Sequence, residues 1–167
     1  VYLKGVDSNY RKVVAVYKHI VENGKYELGT KDNPSIVLGS GVANAVNANP
    51  ILADPLTVFF PNRNSTDFSD LQNATYSFEI HEAGIFKIQE DFDNKYAFTN
   101  TDFIRYMVDL PGSDYSAIEI KTNHDKNIEG IQSRVQSVFG SSCKVETRFQ
   151  QNQSLFSVMQ MEKWIIY

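Results

Sequence analysis

The expected fold turns on one stretch, Ala117-Ile118-Glu119-Ile120-Lys121 followed by Ile128, Ile131, Val135 and Val138, and then by Cys143, Val145, Thr147 and Phe149. The first five residues alternate with the period of a half-buried strand. The four apolar residues that follow are spaced by three, four and three, which puts them on one helix face, and Gly140 supplies the stop. Residues 143–149 alternate again. Together they predict a βαβ unit of about 33 residues, half of a ferredoxin-like split βαβ sandwich. The other half is missing from the chain, unless Val1–Val6 is its last strand.

Working outward, Val1–Val6 reads as a short strand closed by Gly5 and Asp7. Asp7 or Ser8 then caps a helix with Val13, Val16, Tyr17, Ile20 and Val21 on one face, ended by Gly24. A strand is expected over 35–38, a short helix over 42–46, a loop over 47–55 and a strand over 56–60 that Pro61 stops. Residues 61–75 show neither period and almost no aliphatic side chains, so they read as a long exposed loop or protruding hairpin. Such loops are usually functional or disordered. Strand pattern returns over 76–89 with a bend at Gly84. An acidic turn at 90–94 leads to a strand at 96–98. Asn100 or Thr101 caps a helix carrying Phe103, Ile104, Met107 and Leu110 on one face, stopped by Pro111-Gly112. Residues 150–167 read as a final helix with Leu155, Phe156, Met159 and Trp164 as its apolar residues. The fold class is α+β.

Composition narrows the functional classes. The 167 residues include 16 Lys and Arg against 20 Asp and Glu, a formal net charge of −4, which argues against a dedicated nucleic-acid binder. A 42% hydrophobic and 13% aromatic content is that of a folded chain. The single cysteine, Cys143, excludes an internal disulfide framework or a multi-cysteine metal site. Its alternation with Val145 predicts a buried, inert strand residue. No apolar run reaches the ~18 residues of a membrane span. The chain nonetheless opens at Val1 inside an apparent strand and stops within Trp164-Ile165-Ile166-Tyr167, as a domain excised from between two membrane helices would.

Several motifs invite a chemical reading. Gly39-Ser40-Gly41-Val42-Ala43-Asn44 follows a strand as a dinucleotide fingerprint does, but Asn44 replaces the third glycine and no acidic strand end follows about 20 residues on. The preferred reading is a strand-to-helix turn whose glycines permit close packing. His81-Glu82 opens like the zinc-protease motif, but Ile85 stands where the second histidine belongs and the segment is strand-like. A zinc site would otherwise have to gather His19, His81 and His124 from far apart in sequence. Glu90-Asp91-Phe92-Asp93-Asn94 could face a hard cation, yet Tyr96 and Asp102 occupy the glycine and glutamate positions of a calcium loop, so a solvated turn is preferred. Asn64, Asn73 and Asn152 head glycosylation tripeptides. No catalytic, metal or cofactor-binding residue is assigned.

Read in order, the segments resemble one family: the extracytoplasmic domains of MacB-like and lipoprotein-releasing (Lol-type, FtsX-like) ABC transporter permeases. Lys4-Gly5-Val6-Asp7, Ile36–Gly39 with Val42, Ala43 and Val46, Leu56–Pro61, Gly84-Ile85-Phe86 with Asp93, the helix from Asp102 to Leu110, and Gln160–Tyr167 carry the likeness by order and spacing. One departure is Ala53-Asp54-Pro55, where the family usually has Gly-Asp. The missing first strand and helix of the βαβ pair are another. The resemblance implies a discontinuous porter-like subdomain (1–8 and 115–150), an inserted Sabre-like subdomain (9–114) and a helix (151–167) leading to a membrane span. It further implies a non-catalytic periplasmic domain of a bacterial inner-membrane protein, needing no cofactor. Its partners would be an ABC ATPase, a second permease subunit, an envelope lipoprotein or other cargo, and a periplasmic carrier docked by loop 61–75 through Arg63, Phe68 and Leu71. The alternatives are a ligand-sensing extracytoplasmic domain of a membrane receptor and a hydrolase or metal enzyme.

Overall fold

The computed structural model describes residues 1–21, 23–49, 55–62, 74–123 and 127–151. The chain divides into two compact units, Val1–Glu119 and Ile120–Tyr167.

The first unit is a mixed α/β unit built on a five-stranded sheet of order β1-β5-β2-β4-β3. The strands are β1 (Tyr2–Val6), β2 (Ser35–Gly39), β3 (Pro55–Pro61), β4 (Thr75–Phe86) and β5 (Tyr96–Asn100). β1 runs parallel to β5 and β2 parallel to β4, while β5–β2 and β4–β3 are antiparallel. Alternation along the central strands feeds two cores, one on each sheet face. Ile36 and Leu38 of β2, Ile80 of β4 and Ala97 of β5 share one core with Val42 and Ala43 of α2 (Ser40–Ala45) and Phe103 and Met107. Val37, Phe86 and Phe98 face the other core with Val6, Tyr10 and Val16.

Most expected strands and the helices at 40–45 and 101–108 form where the pattern placed them. The bend in β4 arises opposite Ile36 and Val37, which pair with Glu82 and Gly84 and leave Ala83 as the extra residue of a bulge. Its cause is the crossing segment before β2, whose Lys25 N–H donates to Ala83 O at 2.8 Å. A Cβ on Gly84 would lie 2.6 Å from the Lys25 carbonyl oxygen, so glycine is required there.

The first helix is shorter than its spacing predicts. Asp7 accepts from the N–H groups of Asn9 and Tyr10 at 3.1 and 3.0 Å and starts α1 (Tyr10–Val13). The backbone then becomes extended at Val14 and re-coils as a single 3₁₀ turn, Val16–His19. The β-branched run Val13-Val14 favours this break, and the break lets Val16 bury fully while Ile20 bridges to Phe86.

α3 (Glu90–Asp93) replaces the expected acidic turn. α4 (Thr101–Val108) is capped by Asn100, whose Oδ1 accepts from Phe103 N–H at 2.8 Å while its Nδ2 donates to Leu28 O at 2.8 Å and Thr30 O at 3.1 Å. Asn100→Ala is expected to cost about 2 kcal/mol, the upper range for a lost cap, because two loop carbonyls lose their donor as well. Urea unfolding of the variant checks this; a loss under about 0.5 kcal/mol would show that the cap is dispensable.

The second unit departs from its expected architecture. Residues 127–151 contain α5 (Ile128–Phe139) and α6 (Arg148–Gln151), and no strand forms over 117–121 or 143–149. The βαβ reading is therefore corrected. Ile118 and Ile120 stay exposed, at 65% and 57%, and no residue of α5 is buried. A parallel strand pair needs sheet neighbours and cover for its apolar face, and no strand forms among the described residues of the second unit. Instead α5 side chains hydrogen-bond the backbone of Cys143 and Val145. Gln136 Nε2 donates to Cys143 O at 2.9 Å, Val145 N–H donates to Gln136 Oε1 at 3.1 Å, and Gln132 Nε2 donates to Val145 O at 2.7 Å. β1, expected beside 115–150, is hydrogen-bonded to β5 within the first unit.

Candidate functional site

The Gly39-Ser40-Gly41 turn owes its glycines to packing. A Cβ on Gly39 would fall within van der Waals distance of the Asp93 carbonyl oxygen and 2.8 Å from its Cα, and one on Gly41 would collide with the Asn94 side chain. The backbone of α3 fills the space at Gly39. Asp93 is itself buried and accepts from Ile88 N–H with both carboxylate oxygens, at 3.0 and 3.1 Å. The acidic stretch at 90–94 therefore includes a structural anchor, not only a solvated turn.

His19 and His81 are both exposed, His124 lies outside the described residues, and no group of three metal-ligating side chains gathers among the described residues. Cys143 is exposed and free, contrary to the buried strand position expected of it. Its strand does not form, which leaves the thiol exposed among the described residues. Arg63, Phe68 and Leu71 lie outside the described residues, as do Asn64, Asn73 and Asn152.

Glu82 is a second buried acid of the first unit. It is 7% exposed, its Oε1 has no hydrogen-bond partner among the described residues, and burial raises its pKa above the ordinary carboxylate value. Tyr26 is comparable: its hydroxyl is buried without a partner among the described residues, and burial pushes its pKa up to about 12. Ionised Glu82 disfavours the folded state, so its raised pKa predicts stability that is greatest below about pH 4.5 and declines as pH rises through the folded-state value. Glu82→Met removes the unsatisfied group at similar volume and is expected to stabilise the unit at pH 7 by about 1–3 kcal/mol and to flatten that pH dependence. Urea titrations at pH 4.5 and 7 check both, and a destabilised variant would show that the carboxylate has a partner.

A groove of about 870 Å³ lies between α4 and the β3–β4 end of the sheet. A second hollow of about 430 Å³ adjoins it, sharing Lys31, Phe78 and Tyr106. Phe78 stands edge-on to both Phe103 and Tyr106, with ring centroids 6.1 and 5.8 Å away. Tyr106 is 56% exposed and carries the Lys31 ammonium 4.9 Å above its ring. Arg105 reaches Asp102 at 3.4 Å, donates to Asp114 O at 3.2 Å and stacks on Tyr115 at 4.4 Å. At the far end Phe60, Asn62 and Tyr76 line the groove, so it opens where residues 61–75 leave β3 and enter β4. Asn62 N–H donates to Ala74 O at 2.8 Å and closes the root of that connection.

The sequence reading did not assign Tyr106, Phe78 or Lys31. One signal was available: Tyr106 falls off the apolar face set by Phe103, Ile104 and Met107, so an aromatic ring stands on the polar side of an amphipathic helix. Bringing Lys31 and Phe78 to it needed the tertiary structure.

No protein-family model matches the chain, and a search of curated proteins finds no match. No helix of the described residues is long and apolar enough to cross a membrane.

Proposed function

We propose that the chain is a non-catalytic periplasmic domain of an ABC transporter permease of the MacB-like or lipoprotein-releasing kind, coupling ATP-driven motion to the handling of an envelope lipoprotein or other cargo. In this reading residues 9–114 correspond to the Sabre-like subdomain and 151–167 to the helix that leads toward the membrane. The observation that supports it best is the groove at the root of residues 61–75, because an open aromatic-lined groove beside a long polar connection suits the docking of a partner protein. The order of the resembling segments supports it from the sequence side.

The coding sequence past Tyr167 tests the assignment. A membrane span, a long cytoplasmic loop and two further spans are expected, and a kinase or methyl-accepting module would overturn it. Deleting residues 63–73 tests the docking role: the melting temperature is expected to hold while capture of a periplasmic carrier is lost. A fall of several degrees would show that the segment is structural.

A further inference from the structure

β3 is an edge strand, with β4 on one side and, among the described residues, no strand on the other. Its register with β4 fixes which backbone groups face the open side. The Asn62 N–H donates to the Ala74 carbonyl oxygen at 2.8 Å, and bonded and unbonded pairs alternate along an antiparallel ladder. Leu56, Val58 and Phe60 therefore exchange bonds with Ile80, Phe78 and Tyr76. The His81 N–H agrees with this phase, since it turns away from β3 and donates to Pro34 O at 3.1 Å. The backbone of positions 55, 57, 59 and 61 thus faces outward, and the first and last of these are proline. Only Thr57 and Phe59 offer an N–H along this edge; at Pro55 and Pro61 a ring methylene stands where the donor would be.

The residues between the prolines are of the kind that pairs edge to edge. Leu56-Thr57-Val58-Phe59-Phe60 is β-branched, aromatic and uncharged, and Phe59 is 67% exposed. No charged side chain interrupts it, whereas β1, the other edge strand, carries Lys4 and no proline. Two of the chain's five prolines stand at the two ends of this one edge. We infer that Pro55 and Pro61 keep β3 from pairing with the β3 of a second copy of the chain. Two copies would meet antiparallel about Val58, with Thr57 of one opposite Phe59 of the other, and those residues could exchange bonds. The next pairs outward would set Pro55 against Pro61, and neither has a proton to donate, so the ladder stops there. Threonine at both positions would restore those outer pairs. The inference is independent of the permease reading, because it rests on the register of β3 alone.

The test is sedimentation velocity of the full chain and of the double variant Pro55→Thr/Pro61→Thr over a concentration series, with circular dichroism melting of each. The double variant is expected to hold its melting temperature within a few degrees and to self-associate at least about tenfold more tightly than the parent. Pro61→Thr alone opens one end of the edge and gives a smaller gain; it carries the test if the double variant does not fold. Adding Phe59→Lys to the double variant places a charge on the same edge and is expected to return it to the parent's association. Three outcomes overturn the inference. One is association no tighter than the parent's in either proline variant. Another is association that Phe59→Lys leaves intact, which would place the contact elsewhere. The third is a gain seen only with loss of the folded dichroism signal, which would be aggregation of unfolded chain. The sequence past Tyr167 bears only on the permease reading, so the two can fail separately.

Discussion

Replacing Phe98 by alanine is expected to remove about 3–5 kcal/mol of stability from the first unit. Phe98 is fully buried on β5, the strand flanked by both β1 and β2. Its ring lies 5.6 Å from those of Phe86 and Tyr10 and 6.1 Å from Phe92, so a truncation empties the centre of an aromatic cluster. The flanking rings belong to a sheet strand and two helices that cannot all collapse inward together, which keeps the cavity term large. Since domains are typically stable by about 5–15 kcal/mol, the loss is a large share of the total. A melting temperature lower by about 10–20 °C is the expected reading in circular dichroism. Phe98→Leu, which keeps most of the volume, should cost no more than about 1.5 kcal/mol. Equal losses in the two variants, or a loss below about 1 kcal/mol for alanine, would be incompatible with Phe98 at the core of this sheet.

Gly39→Ala is expected to cost about 3 kcal/mol, although it adds a single methyl group. Gly39 has ordinary dihedrals, φ −64° and ψ 147°, so the cost is one of space and not of backbone conformation. The added Cβ meets the backbone of Asp93, which has no rotamer to escape into, and α3 is tied in place by the Asp93–Ile88 hydrogen bonds. Gly112→Ala is the matched control: nothing lies within 4 Å of the position, and a change within about 0.5 kcal/mol is expected. The comparison also tests why the glycine turn exists. A phosphate-cradling turn would need its backbone free to approach a ligand, whereas here the backbone of α3 occupies the place at Gly39. Should Gly39→Ala and Gly112→Ala prove equally mild in urea unfolding, the packing account of Gly39 is wrong.

The elements that the sequence made legible share a property. β2, β4, β5 and α4 bury apolar residues at the period their backbone dictates, and they do so within one unit whose neighbouring strands and helices are all present. Asn100 could be read as a cap because capping is a contact three residues long. The failures have a common cause as well. Residues 117–121 and 143–149 carry the same alternation as the strands that did form, yet no strand forms there, and the glutamines of α5 hydrogen-bond the backbone of Cys143 and Val145. Periodicity states which side chains seek burial; it does not state whether a surface is there to bury them. The same limit explains Cys143, whose predicted burial depended on that strand, and the first helix, which breaks so that Val16 and Ile20 can meet a β4 far along the chain.

The groove marks the boundary most sharply. Its ingredients were in view as a count of aromatic residues and an acidic balance, and neither pointed to a place. Phe78, Tyr106 and Lys31 come from β4, α4 and the loop before β2, and they converge because α4 crosses the sheet face that Phe78 occupies. By itself, then, the sequence determined the α+β class, most strand positions, a cap at Asn100 or Thr101 and the need for small residues at 39–41, since these follow from local backbone chemistry and short-range period. Only the tertiary structure decided that β1 joins β5, that α3 is what Gly39 accommodates, that the last alternating segments form no strand, and that an aromatic trough opens beside β3 and β4. Each of those depends on which distant surfaces meet, and a pattern of period two or 3.6 contains no term for that.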